Sequence, residues 1–297
     1  MSFDLKAYLE TRRALVDGAL DRVLPSEDTV PVNLHRAMRY SVLAPGKRLR
    51  PILVIAGAEA AGGAAEAVLE TACALELIHA YSLIHDDLPA MDDDDYRRGR
   101  LTSHKVFGEA LAILAGDALL TLAFRLVADN AARAADPRLV ARVVADVADA
   151  AGTDGMVGGQ VVDIESEGKD VGPDTLEYIH RHKTAALIRV ALTAGATLAG
   201  GGAAQIETIR RAGESLGLAF QIVDDILDVE GSLAELGKTA GSDERKKKAT
   251  YPAVHGIEAS RRTARALIDE TKRLLDPLGP PAEPIRALAD FVFERRS

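Results

Sequence analysis

The sequence predicts an all-α fold. Three observations carry that expectation. Most of the chain repeats its apolar residues with a helical period. No run alternates Val, Ile and Thr as the strands of a sheet would. Alanine, the best helix former, is abundant, while aromatics make up 4% of the chain and Trp is absent. At 297 residues, 47% of them hydrophobic, the chain can bury a sizeable core. It shows no low-complexity linker and no fixed-period repeat, so residues 1–297 are expected to form one large helical domain.

The elements follow in order. Leu5, Leu9, Ala14 and Leu15 predict a first helix that ends near Leu24-Pro25, and residues 25–31 connect it to the next. Asn33 is a candidate cap for a helix through Met38 and Val42. Pro51 suits the first turn of a third helix, closed by Gly62-Gly63. Residues 64–85 form a long helical stretch that Pro89 stops. Ser103 is a candidate cap for a helix through Leu120 and Leu126, and residues 138–150 make another. Asp174 opens a helix through Ile188 and Leu192, and residues 204–228 are again helical. Residues 231–248 read as a charged loop, and residues 258–275 and 283–295 close the chain as helices.

The net charge is −9, the wrong sign for a nucleic-acid binder. Cys73 is the only cysteine; it excludes an intrachain disulfide and, within an apolar run, reads as a core residue. Met1 to Glu10 lacks the apolar segment of a signal peptide, and the longest uncharged stretch, residues 190–205, is too short to span a bilayer. A cytoplasmic enzyme with no membrane span is expected.

Two acidic clusters carry the chemistry. The first reads His85-Asp86-Asp87-Leu88-Pro89-Ala90-Met91-Asp92-Asp93-Asp94-Asp95 at a helix end. Like charges about 5 Å apart at an effective dielectric of ~20 repel by roughly 3 kcal/mol per pair, so this density calls for a cation or for full solvation. The second cluster lies within an apolar helix. Asp224 and Asp228 share one face with Gln221, and Asp225 is adjacent. Acids on an apolar helix need a partner or a metal. Oxygen donors without a His or Cys set favour Mg²⁺ over zinc, and Mg²⁺ typically bridges carboxylates to phosphates. Basic residues stand at separate points: Lys47, Arg48 and Arg50; Arg97 and Arg98; Lys183; and Lys238 with Lys246, Lys247 and Lys248. They fit two anionic sites, one reached through metal and one through direct contacts.

These segments, in this order, resemble the short-chain (E)-prenyl diphosphate synthases, most of all the bacterial farnesyl type. The similarity implies an all-α bundle of the isoprenoid synthase type with a central cavity, working as a homodimer. It implies that Asp86 and Asp92 hold two Mg²⁺ ions on an allylic diphosphate and Asp224 a third, with Asp87, Asp225 and Asp228 in support. By the same resemblance Arg97, Lys183 and Lys238 contact that diphosphate. Lys47, Arg50, His79 and Arg98 bind isopentenyl diphosphate, Thr184 and Gln221 line the path of the allylic cation, and Lys248 closes over the site. The family often has Gly-x-Pro-Thr where this chain has Gly99-Arg100-Leu101-Thr102, which should loosen that turn.

Product length is read one helical turn before the first cluster. Tyr81 and Ser82 precede Asp86 by five and four residues, roughly 6–8 Å along a helix axis. Tyr81 is a candidate floor for the growing tail. With the spacing of the first cluster it resembles the farnesyl pattern and implies a C15 product from dimethylallyl and geranyl diphosphates. A geranylgeranyl or geranyl product on the same fold, a terpene cyclase and a non-catalytic helical subunit are the alternatives.

Overall fold

A computed structural model of the protein describes residues 3–230 and 250–295. In chain order the helices are α1 (Leu5–Val23), α2 (Val32–Val42), α3 (Leu49–Ala60), α4 (Leu69–Asp86), α5 (Ser103–Phe107), α6 (Glu109–Asp129), α7 (Leu139–Ala151), α8 (Met156–Ser166), α9 (Pro173–Ile179), α10 (Ala186–Leu198), α11 (Ala203–Glu230), α12 (Tyr251–His255), α13 (Ile257–Leu275) and α14 (Glu283–Glu294). A six-residue π-turn, His180–Ala185, joins α9 to α10 without a break.

The all-α expectation holds, with one small exception. A two-stranded hairpin, β1 (Tyr96–Arg97) and β2 (Arg100–Leu101), turns on Arg98 and Gly99 at φ +52° and +73°. That positive pair is what a tight two-residue hairpin requires. Where the missing proline predicted a looser turn, the turn is instead closed by this pairing and by the Thr102 N–H donating to Asp95 O at 3.0 Å.

Three other local expectations change. The helix predicted from Ser103 to Leu126 breaks at Gly108, whose φ of +83° an L side chain avoids, and resumes as α6. α2 begins at Val32 after Pro31, so Asn33 lies inside it rather than capping it. α8 has no counterpart among the predicted elements, because Gly158 and Gly159 weaken its helical pattern.

The packing order is set by apolar faces. α4 lies against α6 and α3, α3 against α10, α10 against α11, and α11 against α13. α3 and α10 approach most closely. A β-carbon at Gly57 would stand 2.1 Å from Leu192 O, and one at Gly195 would stand 1.9 Å from Val54 O. Either would force the two helices apart. Gly57→Ala is therefore expected to cost about 2–3 kcal/mol and to lower the thermal midpoint by several degrees in a melt followed by circular dichroism. An unchanged midpoint would show that the helix pair parts freely. Cys73 is fully buried and its thiol is pushed up to about 12 by burial, in keeping with a core role.

Among the described residues, two helical stretches are long and apolar enough to cross a bilayer, Ala65–Asp86 and Glu109–Ala132. The first is 72% packed inside the fold, as a core helix is, and the second only 39%. The second therefore leaves Ile113 and Leu114 facing outward.

Candidate active site

The first acidic cluster forms where α4 ends. Beyond Asp86 the chain folds back on itself: Leu88 O accepts from Met91 N at 2.9 Å and from Asp93 N at 3.1 Å, and Asp86 O accepts from Asp92 N at 2.7 Å. This loop brings Asp92 back beside Asp86, and both carboxylates stay partly open. Asp86 also accepts from Gln160 Nε2 at 3.1 Å. Asp87 points elsewhere. It is buried and accepts two bonds from Arg97, at 2.7 and 2.6 Å. Burial raises its carboxyl above the ordinary range while Arg97 pulls the other way. Asp87 thus supports the cluster by holding Arg97, and the hairpin turn sends Arg98 to the opposite side, where it donates to Pro45 O at 3.0 Å.

The second cluster occupies the last turns of α11. Asp224 is exposed, whereas Asp225 and Asp228 are buried. Asp225 accepts from Gln221 Nε2 at 2.9 Å and from Tyr251 N at 2.7 Å, and lies 3.2 Å from His180 Nε2. It locks α11 to the π-turn and to α12. Both acidic clusters therefore stand at C-terminal helix poles, where the macrodipole already carries negative charge, and a cation is favoured at such an end.

A chain of hydrogen bonds joins the two. The π-turn carries Lys183 and Thr184 side by side, and both make contacts within the bundle. Lys183 Nζ meets Asp163 at 2.6 Å, and Thr184 Oγ1 donates to Gln221 Oε1 at 2.7 Å. α8 carries both Asp163 and Gln160, so it ties Lys183 to the end of α4. Gly159 makes this possible, because a β-carbon there would come within 2.3 Å of Lys183 N. Gln160 and Asp163 escaped the sequence reading. Their signal is the polar pair three residues apart, on one helix face, next to the Gly158-Gly159 pair.

The basic residues converge elsewhere. Lys47, Arg50, His79 and Arg98 line one cavity of about 830 Å³, together with Arg48 and Arg295. Arg48 anchors the turn that presents Lys47 and Arg50. It is buried at φ +52° and donates to Glu76 at 2.8 Å, to Asp17 at 2.7 Å and to Ala44 O at 2.9 Å. Burial, and then the neighbouring arginines, holds the His79 imidazole well below its usual range, so it offers a neutral N–H. Burial also lowers Lys47, Arg50 and Arg98; nearby cations add to this, while Glu76 opposes it at Arg50 and Arg98 and Asp224 at Lys47 and Arg50. A cavity that crowds cations at this cost is built for an anion. Sequence reasoning also missed Glu76 and Arg295, which no local motif marks. Lys238 and Lys248 lie outside the described residues.

A family model, polyprenyl synthetase, matches residues 31–275. The chain belongs to the polyprenyl synthetase family. As a family member it is 49% identical over 301 residues to the heterodimeric geranylgeranyl pyrophosphate synthase large subunit 1, chloroplastic, of Arabidopsis thaliana, spanning 100% of this chain and 81% of that protein. It is 46% identical to a geranylgeranyl diphosphate synthase of Cyanophora paradoxa, over 100% of this chain and 98% of that one. Among solved structures it resembles an FPP/GFPP synthase from Zymomonas mobilis with a TM-score of 0.87 and 35% identity, over 97% and 98% of the two chains.

The donor set of this polyprenyl synthetase fits a hard dication. Asp86, Asp92 and Asp224 offer carboxylate oxygens at the two negative helix poles, which suits Mg²⁺ carrying some of its waters. Asp93, Asp95 and His104 also bring ligand atoms within 4.8 Å of one another, but Lys105 already neutralises Asp95 at 2.7 Å.

Proposed function

We propose that this prenyltransferase condenses isopentenyl diphosphate head-to-tail with an allylic diphosphate and repeats the addition to C20, geranylgeranyl diphosphate. The observation that carries prenyl transfer is the juxtaposition of two differently built anion sites. One is acidic and metal-seeking, braced by the bonds that run from Asp86 through Gln160, Asp163, Lys183, Thr184 and Gln221 to Asp225. The other is the basic cavity, which needs no metal.

The residues divide the work accordingly. Asp86, Asp92 and Asp224 would hold Mg²⁺, about three ions by family resemblance, and Mg²⁺ bound there would supply charge neutralisation to the departing diphosphate. The ion pairs of Arg97 with Asp87 and of Lys183 with Asp163 support a role for both cations in stabilising the negative charge that grows as the allylic C–O bond breaks. Thr184 and Gln221 present hydroxyl and amide dipoles at the start of the tail path. Lys47, Arg50, His79 and Arg98 hold isopentenyl diphosphate so that its double bond meets the allylic carbon. Lys238 and Lys248 are assigned to the allylic diphosphate and to closure. The outward apolar side chains Ile113 and Leu114 on α6 support a homodimer.

The names of the relatives favour C20 over the farnesyl product that the sequence suggested. Tyr81 supports a second reading, C15. Its ring is buried and packs edge-on to His85 at 5.6 Å, and His85 in turn rests on Gly116 of α6. This packing gives the ring a core role of its own. Ser82 donates to His79 O at 2.9 Å. Chromatography of dephosphorylated products separates the readings. The wild type is expected to end at C20, and Tyr81→Ala to leave that length unchanged. A C15 product that lengthens in Tyr81→Ala would make Tyr81 the floor.

A further inference from the structure

We propose that Tyr40 is a positioning residue, a latch that ties the β1–β2 hairpin to α2 and so keeps Arg98 in register with Lys47 and Arg50 in the basic cavity. This rests on the prenyl-transfer reading above. The hairpin needs such a latch. Its strands are two residues each, Tyr96 and Leu101 stand exposed, and a lone hairpin is at best marginally stable in water. It also borders a cavity of about 60 Å³, lined by Tyr40, Leu83, Leu101 and Ser103 among others, so close packing alone does not fix it.

Tyr40 engages both residues of β2. It sits half-buried in the last turn of α2. Its hydroxyl donates to Leu101 O at 2.8 Å, and the Arg100 guanidinium lies 4.2 Å above its ring. Phe107, the last residue of α5, meets the ring edge-on at 5.5 Å. One side chain of α2 thus holds the hairpin and the helix that follows it.

The register matters because the cavity is assembled from both sides of this contact. α2 leads through Pro45 and Gly46 to Lys47 and Arg50, whereas Arg98 arrives on the hairpin turn. The two sides meet at one place. Arg98 donates to Pro45 O at 3.0 Å, and a β-carbon on Gly46 would stand 2.7 Å from Arg98 Nη1. A hairpin that shifts against α2 loses that fit. Arg97, on the same hairpin, is held separately, by its two bonds to the buried Asp87 at the end of α4. Loosening Tyr40 therefore falls on Arg98 and spares Arg97.

Two titrations of the full chain separate these sides. Dimethylallyl S-thiolodiphosphate, which resists ionisation, is titrated with Mg²⁺ into the free protein, and isopentenyl diphosphate is then titrated into the loaded protein. Tyr40→Phe keeps the ring and loses the hydroxyl. It should weaken isopentenyl diphosphate binding by about fivefold, the scale of one hydrogen bond, and leave the analogue within about twofold. Tyr40→Leu, which loses the ring as well, should weaken it by about twentyfold. Arg100→Met removes the stacked cation from an exposed position; its effect, about threefold alone, should vanish in the Tyr40→Leu background. General loss of structure would weaken both ligands and lower the thermal midpoint, so the split between ligands is the signature of positioning. If Tyr40→Leu melts more than a few degrees below wild type, Tyr40→Phe and Arg100→Met carry the test. Isopentenyl diphosphate binding within about twofold of wild type in these variants, or an equal loss for both ligands, overturns the latch and leaves prenyl transfer intact. A loaded wild type that does not bind isopentenyl diphosphate overturns the prenyl-transfer reading and the latch with it.

Discussion

Asp86→Ala is expected to reduce turnover by about 10³-fold or more, equivalent to roughly 4 kcal/mol of lost transition-state stabilisation. The size follows from position. Asp86 ends α4 at its negative pole, Asp92 is folded back against it by a 2.7 Å backbone bond, and Gln160 orients its carboxylate. The adjacent acid cannot take its place, because Asp87 is buried and committed to Arg97. The same reasoning sets the stability outcome. Removing one carboxylate from a crowded acidic helix end relieves repulsion, so the metal-free thermal midpoint should hold or rise. Turnover within tenfold of wild type would contradict the metal role. A large drop in the midpoint would show that the residue supports the fold instead.

Lys183→Met is expected to lower turnover by about 10²–10³-fold, the scale on which one preorganised charge-stabilising donor acts. It should also destabilise the fold, because Asp163 is buried and Lys183 is its 2.6 Å partner. Removing the Lys183 partner of that buried carboxylate costs about 3 kcal/mol. The two effects separate in the double variant Lys183→Met with Asp163→Asn. Steady-state kinetics and thermal melts of both proteins should show the midpoint restored and the turnover still lost. Recovery of turnover in the double variant would mean that Lys183 serves only to neutralise Asp163.

The sequence made the helices and the two acidic clusters legible for a physical reason: each is written in consecutive residues. Helical periodicity gave α4 and α11, and the acids at their ends stood out because apolar helices rarely carry them. The separated basic residues pointed to a directly contacted anion site, but which of them share it was legible only by family resemblance, since Lys47, His79 and Arg98 come from three separate elements. Positions fixed by tertiary partners were not legible. That Asp87 and Asp225 turn inward while Asp86 and Asp224 stay accessible depends on Arg97, Tyr251 and His180. α8 was missed because its two glycines, which permit close approach to Lys183, lower the helical signal that would have revealed Gln160 and Asp163. Arg295 could not be placed from sequence, because it meets Phe220 and Asp224 only where α14 ends beside α11.

The most direct measurement of prenyl transfer is a product assay with isopentenyl diphosphate and dimethylallyl, geranyl or farnesyl diphosphate in turn, run with Mg²⁺ and again with excess chelator. The account predicts elongated prenyl diphosphates with Mg²⁺ from at least one of these primers and none with chelator. Elongation that survives chelation, or no elongation with any primer in Mg²⁺, would contradict it.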